Sequence, residues 1–375
     1  MQDIYDYLQP ISLNEINEDE GYVEGQFGKN IATNNDDEFN INDANIIIVG
    51  VNETRGNGNG EIENNAANVI RKNLYRLHYW HTDIKIADVG NIKTGATLKD
   101  SFAAIKTVLE ELYSTGKIIL ILGGSHDITL AQYHAYKKKD NIVEATCIDA
   151  FINLQGEGSA PANHFLMEMF TEEPNILKHY NHIAFQSYFV HPTMLQTIDK
   201  LRFDCYRLGN VAENIEEMEP VLRNTDMLSF DVSAIKYSDA PVNKLCPNGL
   251  TGVEACTLTQ YAGMSTNLNS FGIYGYNPKD DVQELTATQI AQMIWYFVDG
   301  IHRKNMETPI TELADYNEYN IIFGEVSTTF LQNKRSNRWW MKMPDEKYIA
   351  CSQKDYVTAS KNDFPERWLR IQERL

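Results

Sequence analysis

The chain has 375 residues, 43% of them hydrophobic, which is enough for a full core in one large domain or two small ones. Its 33 Lys and Arg against 52 Asp and Glu give a net charge of −19. Such a surface repels nucleic acid and anionic membrane, so neither is expected as a partner.

Residues 1–40 carry ten acidic side chains (Asp3, Asp6, Glu15, Glu18, Asp19, Glu20, Glu24, Asp36, Asp37, Glu38) and a single basic one, Lys29. This composition predicts a solvated acidic N-terminal arm, or an arm that docks on a basic partner surface. The start lacks a basic residue run followed by an apolar one, so no signal peptide is expected. No apolar stretch approaches the roughly 20 residues that span a bilayer. Cys147, Cys205, Cys246, Cys256 and Cys351 are scattered with no C-x-x-C pair, as suits reduced thiols in a cytoplasm.

From residue 41 to 375, short β-branched runs alternate with helical patterns, and a single domain is expected there. The predicted strands are 45–51, 85–90, 117–124, 143–150, 182–189, 226–232, 271–277 and 319–326. Several are apolar almost throughout, which implies cover on both faces, as in a parallel sheet. Amphipathic helices are predicted over 100–116, stopping at Gly116, and over 191–203 and 286–305. The alternation argues for an α/β fold with helices on both sides of the sheet. NETRGNGNGEIENN (52–65) follows the first strand, where a doubly wound fold presents its ligand crevice. It lacks the Lys and spacing of a phosphate loop, and is either an entrance loop or a mobile surface loop.

Three strand ends carry polar residues in the same topological position: Gly123-Gly124-Ser125-His126-Asp127, Asp149-Ala150-Phe151-Ile152-Asn153 and Ser229-Phe230-Asp231-Val232-Ser233. In a parallel sheet these ends share one edge, so His126, Asp149 and Asp231 can converge. One imidazole and two carboxylates suit a divalent cation. Taken singly, each is as readily a capping Asp or a hydrogen-bonded His.

The segments GGSHDITLAQ, DAFIN, SFDVS and PNGLTGVE (247–254) resemble, in order and spacing, the signature regions of the ureohydrolases. That family includes arginase, agmatinase, guanidinobutyrase and formimidoylglutamase. NETRGNGNG, with Arg71 and Leu74 beyond it, is most similar to the formimidoylglutamase branch. The resemblance runs from about 45 to 280. It implies a three-layer α/β/α fold with an eight-stranded, mostly parallel sheet. It also implies a binuclear manganese site that generates hydroxide to attack a guanidino or formimidoyl carbon. Assembly into trimers or hexamers is common in the family, so a homo-oligomer is expected.

This chain departs from the pattern. The family's ligand motifs are G-G-x-H, D-A-H-x-D and S-x-D-x-D. His126, Asp149 and Asp231 remain, whereas Phe151, Asn153 and Ser233 stand where the pattern has His, Asp and Asp. Gly275 stands at the position of the Glu that grips the guanidinium in arginase, with Glu325 as a topologically different substitute. A full site balances four Asp against two divalent ions, whereas two Asp balance one. By the resemblance, His126, Asp149, Asn153 and Asp231 make up one metal's set, and the other metal needs Phe151 and Ser233. A phenyl ring cannot ligate. The expectation is therefore no ion, or a single Mn²⁺, Mg²⁺ or Zn²⁺. Phe151 is expected to fill the vacated volume and, by desolvation, to raise the pKa of an unpaired Asp149.

His164 lies where arginase places a substrate-loop His. It is either a catalytic proton shuttle or a helix cap. LQNKRSNRWWMKMP (331–344) joins Arg338 to Trp339 and Trp340. It is expected either to pack on the core, with Arg338 over a ring, or to serve a protein partner. Two functional expectations stand. One is a pseudoenzyme, a binding or assembly protein that takes a guanidino or amino-acid ligand or a protein partner. The other is a divergent single-metal hydrolase of C–N bonds in linear amidines or guanidines.

Overall fold

The computed structural model describes residues 4–11, 16–17, 21–35, 39–139, 142–156 and 158–374. Ten strands pair into one sheet: β1 (Leu8–Gln9), β2 (Ala32–Thr33), β3 (Ile46–Val51), β4 (Ile86–Ile92), β5 (Ile118–Leu122), β6 (Val143–Ile148), β7 (Leu177–Phe185), β8 (Asp204–Arg207), β9 (Met227–Asp231) and β10 (Ser270–Tyr274). Their order is β1-β4-β3-β5-β10-β9-β6-β7-β8, with β2 also paired to β4. From β4 to β8 all eight strands run parallel, and β1 adds an antiparallel edge.

The side-chain alternation explains the layers. In β3, Ile46 and Ile48 enter one core and Ile47, Val49 and Val51 enter the other. Among the described residues, the helices of seven or more residues that cover the two faces are α1 (Ala66–Tyr75), α2 (Leu98–Ser114), α3 (Ile128–His134), α4 (Pro161–Thr171), α5 (Pro192–Lys200), α6 (Gly252–Gly263) and α7 (Leu285–Asn305). Helices α1, α6 and α7 bury Ile70, Leu258 and Phe297 in the first core. Helices α2, α3 and α4 bury Leu109, Leu130 and Phe165 in the second. The result is the three-layer α/β/α arrangement that the alternation implied. Helix α2 begins earlier than expected because Thr97 and Asp100 form a reciprocal capping box. The expected strand over 182–189 lies instead at 177–185 in register with β6, and 187–189 form a 3₁₀ turn.

The fully solvated arm expected for residues 1–40 is not what the described residues form. Ile4, Leu8, Ile11, Ile16 and Phe27 are buried, and Leu8 pairs with Ile92. Removing these apolar side chains from water is the favourable term that a count of charges leaves out. Of the ten acids, only Asp6 and Glu24 lie among the described residues.

The run at 319–326 does not join the parallel sheet. Strand β11 (Tyr316–Phe323) turns at Gly324-Glu325 into β12 (Val326–Asn333), and β13 (Trp339–Lys342) and β14 (Tyr348–Cys351) complete an antiparallel sheet of four. With α8 (Gln353–Ser360) and α9 (Glu366–Gln372) it encloses a separate core around Phe323, Phe330, Met341 and Trp368. Glu325 is exposed in that hairpin turn, so it does not stand in for the missing carboxylate of the first sheet.

The Arg-Trp segment joins the two sheets. Arg338 is only 5% exposed; its Nε donates to Glu219 Oε1 at 2.8 Å and its Nη1 to Glu307 Oε2 at 2.5 Å. Arg223 lies over the Trp340 ring at 4.5 Å and Arg338 at 5.6 Å. Arg338 and Trp339 are thus buried within the chain, while Trp340 is partly exposed.

Candidate metal centre at the carboxyl edge of the sheet

Strands β5, β10, β9 and β6 are consecutive neighbours, so their carboxyl ends crowd onto one short stretch of edge. After β5 the chain passes through Gly123 and Gly124, with φ of +86° and +88°, and a Cβ at Gly123 would lie 2.7 Å from the Val51 carbonyl oxygen. Only glycine relieves both constraints. The turn delivers His126, which is buried. Its Nε2 lies 3.0 Å from Ser229 Oγ, which in turn pairs with Thr129 Oγ1 at 2.6 Å. The ring packs on Phe165 at 4.8 Å. Anchored on that side, the imidazole presents Nδ1 to the polar cluster.

Nδ1 lies 3.0 Å from Asp149 Oδ2, 3.5 Å from Asp231 Oδ2 and 3.2 Å from the Asn153 side-chain nitrogen. The sequence-predicted set His126, Asp149, Asn153 and Asp231 is therefore brought together. Cys147 is also near, but its Sγ meets Nε2 at 3.7 Å, on the opposite edge of the ring from Asp149. His126, Cys147 and Asp149 each offer a donor atom, all within 4.8 Å of one another. The Nδ1 side, with two carboxylates, is the better cation seat for a hard or borderline ion.

Asp149 is not the unpaired acid that the sequence led one to expect. Its Oδ1 accepts from Ser233 Oγ at 2.5 Å and from the Phe151 amide at 2.9 Å, and its Oδ2 accepts from Asn153 at 2.7 Å. Ser233 also donates its amide to Asp231 Oδ1 at 2.8 Å, so this one residue ties the two carboxylates together. Burial opposes ionisation of Asp149, yet the hydrogen bond and charge of His126, His182 and the Ser233 hydroxyl hold its pKa below the usual carboxylate value. This reverses the expected rise. The rise falls on Asp231, pushed up to about 6 by burial and by the charge of Asp149, against the pull of His126. Burial alone would lower His126, but Asp231, Cys147 and the Asp149 hydrogen bond raise it well above the ordinary imidazole value. The pattern is that of two like charges sharing one cationic neighbour.

The remaining predicted positions fall as follows. Phe151 stacks on Phe189, ring centroids 4.6 Å apart, so its ring is held by the turn after β7. Gly275 has φ +77°, and a Cβ there would sit 2.5 Å from Asp231 Oδ2; a Glu at this position is sterically excluded with Asp231 where it is. His164 lies in the first turn of α4, its Nδ1 facing the Ala160 carbonyl at 3.1 Å and Ser159 Oγ at 3.3 Å, with Glu168 3.8 Å from Nε2. These contacts belong to the helix start, and none of them is to His126, Asp149 or Asp231.

The entrance loop is ordered by its own charges where it meets the site. Glu53 is buried and paired with Arg55, Nε to Oε1 at 2.9 Å, and the Glu53 carbonyl accepts from Ser125. A separate cavity of about 390 Å³ lies at the ends of β7 and β8, lined by Gln186, Tyr188, Arg207, Lys236 and Asn248 and by none of His126, Asp149, Asn153 or Asp231. Ser229 was missed from the sequence as part of the site, although it stands two residues before Asp231 and so points to the same face of β9, a signal that the strand period contains. Thr129 carried no comparable signal.

On the Nδ1 side the donor set has the spacing of the ligands of one divalent ion. Ligands of an ion bonded at about 2.1–2.2 Å lie roughly 3.0–3.4 Å apart. The His126 Nδ1 separations already fall near that range, and turning the Asn153 amide presents its oxygen instead of its nitrogen. A second ion would find a phenyl ring and a hydroxyl already engaged with Asp149.

No curated protein matches this sequence. Solved structures do match in fold. A formiminoglutamase of Trypanosoma cruzi crystallised with Mn²⁺ superposes with a TM-score of 0.64 at 19% identity, covering 71% of this chain and 96% of that one. The formimidoylglutamase of Bacillus subtilis gives 0.61 at 18% identity, covering 69% and 87%. A hypothetical agmatinase of Burkholderia thailandensis gives 0.59 at 16% identity, covering 71% and 89%. The sequence model of the arginase family matches residues 44–299, the span that carries the eight parallel strands β3 to β10 and the cluster around His126. The chain belongs to the arginase family.

Proposed function

We propose that this arginase-family chain retains the ureohydrolase scaffold without its two-metal hydrolysis, and works as a binding or assembly protein. The observation that carries this reading is the Ser233 hydroxyl on Asp149 Oδ1 at 2.5 Å. It takes the position and the acceptor that a second cation would need. Phe151 supplies no donor to replace it. Two-metal bridging is what turns bound water into hydroxide near neutral pH and clamps the attacked group.

The cavity at the ends of β7 and β8 supports a small ligand. Arg207, Lys236, Tyr188 and Asn248 are among its lining residues. A carboxylate on an amino acid or guanidino acid fits that chemistry. Assembly with further copies, or with a partner that meets the acids of residues 1–40, belongs to the same proposal. Light scattering of the purified chain tests the first part.

A second reading has its own support in the Nδ1 geometry. A single Mn²⁺ would be held by His126, Asp149, Asp231 and Asn153. When bound it would act as a Lewis acid and lower the pKa of a water. His126 would then be a ligand, and hydrolysis of a linear amidine or guanidine C–N bond would need a separate proton carrier.

The experiment is a hydrolysis assay on arginine, agmatine and N-formimidoylglutamate with added Mn²⁺, run beside Asp231→Ala. The binding reading expects no turnover above buffer in either protein. Turnover that Asp231→Ala abolishes would establish the hydrolase instead.

A further inference from the structure

We propose that His81, Asp83 and His302 form a second, surface cation site suited to Zn²⁺, far in sequence from the cluster around His126. His81 and Asp83 sit in the turn before β4, and His302 lies near the C-terminus of α7. One donor atom from each of the three lies within 4.8 Å of the others. His302 Nδ1 is 3.0 Å from Asp83 Oδ2 and 3.1 Å from Oδ1. The two imidazoles stack with centroids 4.2 Å apart and planes 19° from parallel.

The His302–Asp83 spacing is close to that of neighbouring ligands on tetrahedral zinc. With bonds of about 2.0–2.2 Å, neighbouring ligands lie roughly 3.4 Å apart. The His302–Asp83 contact needs to open by only a few tenths of an ångström to admit the ion. Two imidazoles and one carboxylate favour zinc over calcium or magnesium, which prefer all-oxygen cages.

The support behind the ligands is the stronger observation. Asp299, one turn before His302 on α7, holds His81 Nε2 at 2.9 Å. Its other oxygen accepts from Gln260 at 2.6 Å and from Arg303 at 2.7 Å. A proton on Nε2 directed at that carboxylate leaves the Nδ1 lone pair of His81 free. This is the carboxylate–histidine arrangement that orients a metal-binding ring. A fixed second carboxylate is more than a surface ion pair requires. The His81 side chain is 14% exposed and that of Asp83 51%, so the site has a rigid inner wall and an open outer side where water completes the coordination.

The test is Zn²⁺ and Co²⁺ binding to the full chain by competition titration, with the Co²⁺ absorption spectrum as the reporter of geometry. Asp231→Asn is included to silence the cluster around His126. The wild type and Asp231→Asn are expected to bind Zn²⁺ with a tetrahedral Co²⁺ spectrum. His302→Gln and Asp83→Asn are expected to lose that equivalent, and Asp299→Asn to weaken it about 10–100-fold. His302→Gln keeps a good helix former and Asp83→Asn lies in an exposed turn, so a fold defect in one leaves the other as control. Equal Zn²⁺ uptake by the wild type, His302→Gln and Asp83→Asn would overturn the proposal, as would loss of all uptake in Asp231→Asn alone.

Discussion

Replacing Ser233 with Asp puts back the carboxylate that the family pattern has at this position, and should destabilise the metal-free protein. The hydroxyl now donates to Asp149 Oδ1 at 2.5 Å. Losing a hydrogen bond to a charged acceptor costs about 1.5–3 kcal/mol. A second carboxylate about 4 Å from Asp149 adds roughly 4 kcal/mol of repulsion at an effective dielectric of about 20. Partial protonation of the pair trims the sum to about 4–6 kcal/mol. For 375 residues the unfolding entropy is about 0.8 kcal/mol/K, so Tm should fall by roughly 5–8 °C. The assay is thermal unfolding in chelator and then in excess Mn²⁺. Bound cation neutralises the new charge, so Mn²⁺ should raise Tm of Ser233→Asp more than that of the wild type. A variant as stable as the wild type in chelator would refute the claim that this hydroxyl occupies the place of a cation, and so would equal Mn²⁺ shifts in both proteins.

Three other perturbations follow from the same structure. Arg71 and Asp88 are both fully buried and paired at 2.7 Å, so Arg71→Met leaves a buried carboxylate and should cost about 3–5 kcal/mol in urea unfolding. Gly275→Ala should cost at least about 1 kcal/mol through its left-handed backbone alone, and should also displace Asp231, visible as a loss of Mn²⁺ affinity if the wild type binds the ion. Burial, chiefly, and the charge of Glu144 push the Asp226 carboxyl up to about 6, against a hydrogen bond from the Glu144 amide. A folded pKa above the unfolded one gives stability that is present at low pH and lost as pH rises through about 6. Asp226→Asn keeps the acceptor for that amide and should therefore stabilise more at pH 8 than at pH 5. The difference should be on the order of 0.5–1 kcal/mol after allowance for partial exposure. Equal gains at both pH values would contradict the sign.

The parallel sheet was legible because its strands are apolar on both faces, and seven of the eight predicted runs fall within it. Strand β8 was missed because Asp204–Arg207 is short, polar and only partly buried. The last predicted run was assigned to the wrong sheet: an apolar stretch such as 319–326 reads the same whether it is covered on both faces or is half of a hairpin. The Gly324-Glu325 turn decided for the hairpin. In the site, His126, Asp149 and Asp231 were visible because a parallel sheet collects strand ends. The state of Asp149 was not visible, since the hydroxyl that satisfies it comes from 84 positions away. The His81–His302 cluster escaped for the same reason, with Asp83 and His302 separated by 219 positions.

The central claim is that the cleft between Asp149 and Asp231 holds no more than one divalent ion. A crystal structure of the protein saturated with Mn²⁺, with anomalous scattering to identify the ions, tests it most directly. The account predicts a single anomalous peak beside His126 Nδ1, or none. Two peaks there, bridged by a carboxylate oxygen, would contradict it.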